Sequence, residues 1–86
     1  MTMAASKQDI TSWFDEGVKQ GATHMIVACD TFDHDDYPVY VKPGEDVRKC
    51  EDRILKSPMQ RVMEVYKLDP TRRDTQLAEF RAFHYD

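Results

Sequence analysis

Gly21-Ala22-Thr23-His24-Met25-Ile26-Val27-Ala28-Cys29-Asp30-Thr31-Phe32 holds an unbroken apolar run from Met25 to Cys29. Five such residues are enough for a strand and few for a helix. Alternation along the run is weak. His24, Ile26, Ala28 and Phe32 would point to one side of a strand, and Thr23, Met25, Val27 and Cys29 to the other. A strand that is apolar on both faces sits in the middle of a sheet, covered on both sides. The other elements are therefore arranged around it.

Upstream, Ser6 to Gln20 reads as a helix. Ser6 can cap it, and Asp9 three residues later approximates a capping box. Ile10, Trp13, Phe14, Gly17 and Val18 form one apolar stripe at helical spacing. Trp13 is expected deep against the sheet. Gly17 costs about 1 kcal/mol of helix propensity relative to alanine, so its place on the stripe implies close packing. Gly21 is the expected left-handed stop.

Downstream, Asp30 to Asp36 reads as a polar turn and Tyr37-Pro38-Val39-Tyr40-Val41 as a second strand. The short connection makes the two strands an antiparallel hairpin. Pro38 cannot donate to a ladder, which places its strand at an edge. Pro43-Gly44-Glu45-Asp46 opens a second helix with Val47, Cys50 and Ile54 on its buried side, and Ser57-Pro58 ends it. Met59 to Leu68 fits helical spacing or a strand. A strand is preferred, because two strands alone would not bury the central one. Arg73 to Phe83 is expected to be a short helix with Leu77, Phe80 and Phe83 inward.

The order is α-β-β-α-β-α, a single α+β domain over residues 1–86 with a three-stranded sheet in the order 2-1-3. A right-handed crossover makes the outer strands parallel to each other. If both long helices shared one face, the other would need the C-terminal segment or a second subunit. That accounting motivates a homodimer.

The totals agree with a small globular protein. The chain has 86 residues, 41% of them apolar and 33% charged. No apolar run approaches the roughly 20 residues of a membrane span, and Met1 to Lys7 has no signal-peptide core. A cytoplasmic protein with reduced Cys29 and Cys50 is expected. Residues 1–41 carry 2 bases and 7 acids, a net of −5; residues 42–86 carry 10 bases and 9 acids, a net of +1. The bases are interspersed with acids, whereas a nucleic-acid footprint would be concentrated. A protein partner is expected, and neither nucleic acid nor membrane.

The segment from Gly21 to Asp33, followed by Tyr37-Pro38-Val39-Tyr40-Val41, resembles a family of small uncharacterised bacterial and phage α+β proteins. Met59-Gln60-Arg61-Val62-Met63-Glu64-Val65-Tyr66 has a similar look, so the resemblance spans about half of the chain. It implies a free-standing cytoplasmic protein, phage- or mobile-element-associated. It carries over no activity and no catalytic residue.

Asp30, Asp33, His34, Asp35 and Asp36 place four carboxylates and an imidazole within seven residues. Hard cations want oxygen ligands, so this loop is the one candidate metal site. The spacing is not that of an EF-hand. The plainer reading is a solvated turn whose aspartates bond their own backbone. Tyr37 and Tyr40, with Asp33, Asp35 and Asp36, are the candidate interaction residues, since tyrosine joins an apolar body to a polar tip. No motif for a nucleophile, a phosphate loop or a cofactor is present, so no catalytic residue and no cofactor is assigned. The expected function is a non-catalytic interaction or regulatory protein. The alternative is a small divalent-metal-assisted hydrolase using Asp30 to Asp36.

Overall fold

The computed structural model describes residues 6–86; the first five residues of the stretch Met1 to Lys7, read above as having no signal-peptide core, lie outside them. The order is α1 (Lys7–Gln20), β1 (His24–Asp30), β2 (Asp35–Val41), α2 (Val47–Lys56), β3 (Gln60–Lys67), a 3-10 turn (Pro70–Arg72) and α3 (Arg73–Leu77). The sheet runs β2-β1-β3, with β1 antiparallel to both neighbours. Fold class, strand order and the strand reading of the Met59 region are as the sequence predicts.

Local chemistry accounts for the helix ends. The Ser6 hydroxyl accepts from the Asp9 N–H at 3.1 Å, and the Asp9 carboxylate accepts from the Ser6 N–H at 3.2 Å, a closed capping box. Gly21 stops α1 at φ 78°, where a Cβ would be strained. The Asp46 side chain accepts from Arg48 N and Lys49 N and so starts α2.

Packing departs from expectation in one decisive respect. α1 and α2 lie on opposite faces of the sheet. Ile10 and Phe14 cover Met25, Val27, Tyr66 and Leu68 on one side. Val47 and Cys50 cover Ile26, Val41 and Val65 on the other. The physical reason is β1 itself: both of its faces are apolar, and each helix removes one from water. The open face invoked for a second subunit is therefore filled within one chain. Cys29 and Cys50 are free thiols. Cys29 follows Met25 and Val27 in the two-residue alternation, so the sheet lies between it and Cys50.

Three smaller corrections follow from burial and edges. Trp13 is only half-buried, and Phe14 takes the central place, edge-on to Tyr66 at 6.2 Å between ring centroids. Asp35 and Asp36 belong to β2 rather than to the turn. α3 stops at Leu77, and Phe80 is 94% exposed rather than inward. The chain then runs along the outer edge of β3. There Val65 N donates to Ala82 O at 2.8 Å, and His84 N donates to Val65 O at 2.9 Å. Pairing those edge groups competes with further helical turns, because a strand edge left bare is costly. Gln76 locks α3 to β3: its amide takes the N–H and C=O of Lys67, both at 2.8 Å.

Candidate functional site

The β1–β2 connection is built by Asp30. Its Oδ1 accepts from Phe32 N at 2.9 Å and from Asp33 N at 3.4 Å, the aspartate turn that this composition favours. Thr31 N donates to Met59 O at 2.7 Å and ties the turn to the start of β3. His34 completes it in the left-handed region at φ 59°. Two apolar side chains stand out at this end: Phe32 is 71% exposed and Met59 56%. An exposed aromatic thus sits on a pinned turn among carboxylates.

The aspartates have different settings. Asp30 serves the backbone. Asp33 and Asp35 are exposed. Asp36 is half-buried on β2, directly across from Cys29. Burial pushes the Cys29 thiol up, and the Asp36 carboxylate, which accepts its proton, pushes the same way. Among the described residues, no group of three or more His, Cys, Asp or Glu side chains is placed to hold a metal ion.

A groove of about 330 Å³ lies between β2 and α2. Tyr37, Val39 and Tyr40 line it from the strand, and Cys50, Arg53, Ile54 and Ser57 from the helix side. The Tyr37 hydroxyl donates to the Gln60 side chain across its floor. Burial, aided by the nearby Asp30 charge, raises the Tyr37 phenol, which stays a neutral donor at physiological pH. The Tyr40 hydroxyl donates to Trp13 O at 2.8 Å, and its ring packs at Gly17.

The structure therefore brings Tyr37 into the groove and sets Asp33 and Asp35 at one end of the same strand. Tyr40 also borders the groove, while its hydroxyl is bonded to Trp13 O of α1. Phe32, within the stretch read as a turn, and Met59, read as the start of a strand, both surface at this end of the sheet. The signal for Phe32 was its place between Asp30 and Asp33, where no core face can form. Met59 carried none, since it fits a strand start equally well.

His24 is 8% exposed, with Nε2 2.8 Å from Asp86 O and Nδ1 3.0 Å from Thr23 Oγ1. Facing a carbonyl, Nε2 carries the proton. Burial lowers its pKa, against the bond to Asp86, so this histidine holds the C-terminal segment in place as a neutral ring. No described helix is long and apolar enough to cross a membrane. No family model matches the chain, and neither a curated protein nor a solved structure matches it at a level that shows relatedness.

Proposed function

We propose that the protein is a non-catalytic interaction protein, and that it engages a basic protein partner through the β1–β2 end of its sheet. One observation carries this reading: the turn is held by Asp30 and Met59 so that Phe32, 71% exposed, projects among acidic side chains. An exposed aromatic on an ordered turn is a low-entropy anchor, since little freedom remains to be lost on binding. The carboxylates add attraction and orientation toward a positive surface. The low net charge of residues 1–41 points the same way.

Affinity capture from the native host with four baits tests it: wild type, Phe32→Ser, the pair Asp33→Asn and Asp35→Asn, and Arg73→Gln as a control. A genuine partner is retained by wild type, lost with Phe32→Ser and weakened with the aspartate pair in a salt-dependent way. Arg73→Gln, remote from this end, retains it. A protein captured equally by all four baits refutes the assignment.

A further inference from the structure

The sheet has two edges, and they are treated differently. The edge of β3 is taken by the C-terminal segment, through the Val65–Ala82 and Val65–His84 backbone bonds and a parallel bridge between Val65 and Phe83. No described element pairs with the outer side of β2. Val41 turns its carbonyl inward, accepting from Thr23 N at 2.7 Å. By two-residue alternation Tyr37 and Val39 also face β1, while the backbone groups of Pro38 and Tyr40 face outward. The outer edge thus offers the Pro38 carbonyl and both the N–H and the carbonyl of Tyr40. The groove of about 330 Å³ runs along this edge, under α2.

We propose that this edge and groove receive an extended segment of a basic protein partner as a fourth strand. The inference rests on the interaction reading above and names how the partner is held. An added strand would bond to Tyr40 and Pro38 through its main chain. Alternate side chains would enter the groove between Tyr37 and Val39 on one wall and Cys50 and Ile54 on the other. A positive residue of the segment would lie by Asp33 and Asp35 at one end. Glu45, whose Oε1 accepts from Lys42 N at 2.9 Å, is a third carboxylate at the groove, and Arg53 also lines it, so the positive end of the segment belongs at Asp33 and Asp35.

A second copy of this chain fits poorly. A two-fold antiparallel pairing centred on β2 sets Pro38 against Pro38, so its middle pair has no donor at all. A parallel, in-register pairing stacks Asp35 on Asp35, which repels. Proline and charge are devices that keep edges from self-pairing. Here they leave the outward carbonyls and the Tyr40 N–H for a different, basic strand.

The test uses isotope-labelled wild type and a synthetic seven-residue probe, Lys-Val-Arg-Val-Thr-Val-Lys with blocked ends. Two control probes have N-methyl groups on alternate amides, or glutamate in place of each basic residue. With the basic probe, the Tyr40 amide should gain protection from exchange, with saturable shifts at Tyr37 and Val39. N-methylation should weaken binding by about tenfold or more, the loss expected for one or two hydrogen bonds. The acidic probe should give no saturable shift. Arg53→Trp, an exposed helix position lining the groove, should block the basic probe while leaving the melting temperature unchanged. Shifts confined to Thr31–Asp36 and unaffected by N-methylation would overturn strand addition while leaving the acidic turn as the contact. Absence of any saturable shift with the basic probe would overturn it too. So would a doubled mass in sedimentation with the Tyr40 amide already protected, since the edge would then belong to a second copy.

Discussion

Gly17→Ala tests the packing of α1 on the sheet directly. A Cβ built at Gly17 would lie 2.6 Å from Leu68 Cδ1 and 2.8 Å from Tyr40 Cε1, both well inside contact distance. Leu68 Cδ1 is the end of a flexible side chain and can rotate. Tyr40 cannot withdraw as easily, because its hydroxyl is bonded to Trp13 O at 2.8 Å and its backbone is part of β2. Overpacking of this kind costs about 1–3 kcal/mol. Alanine returns roughly 0.5–1 kcal/mol of helix propensity. The net expectation is a loss of about 1–2 kcal/mol, a fall in melting temperature on the order of 5–10 °C. Thermal and urea denaturation followed by far-UV circular dichroism would measure it. In a Tyr40→Leu background the obstacle is smaller, so Gly17→Ala should then cost less than about 0.5 kcal/mol or stabilise. A Gly17→Ala protein as stable as wild type would refute the close approach, and with it the seating of α1.

Further outcomes are expected elsewhere. Gln76→Leu leaves the half-buried Lys67 backbone groups without their partner and should cost about 1–3 kcal/mol by urea denaturation with an unchanged m-value. Since burial lowers the His24 pKa in the folded state, the unfolded chain binds more protons below pH 6.5, so stability should fall as pH drops below that value and hold above it; His24→Gln should flatten this part of the profile. Native Cys29 and Cys50 should react slowly with a thiol reagent at neutral pH, and Asp36→Asn should speed the labelling of Cys29 by removing a charge that disfavours its thiolate. Millimolar Mg²⁺, Mn²⁺ or Ca²⁺ should move the melting temperature by no more than about 1–2 °C, because saturable binding to the native state would move it further; a larger shift, lost on replacing Asp33, Asp35 and Asp36 with Asn, would restore the metal-assisted hydrolase.

The sequence by itself determined what depends on near neighbours. Ser6 with Asp9, Gly21, and Ser57 with Pro58 mark helix ends through backbone bonds and dihedral limits that reach only a few residues. Met25 to Cys29 declares a two-sided strand because alternation can be counted. Pro38 declares an edge because it lacks a donor. Even the close approach at Gly17 was legible, since glycine on an apolar stripe needs a reason. Only the tertiary structure decided which faces the helices take. Nothing local to α1 or α2 encodes a side of the sheet; the choice follows from the total apolar area that β1 exposes on both. The same holds for the C-terminal segment. Phe80 and Phe83 look like core residues at helical spacing, yet the bare edge of β3, distant in sequence, recruits Ala82 and His84 and leaves Phe80 in water. The candidate site divides in the same way. The acidic composition of Asp30 to Asp36 is visible residue by residue, but the groove beside Tyr37 exists only because α2 crosses beneath an edge strand that precedes it in the chain.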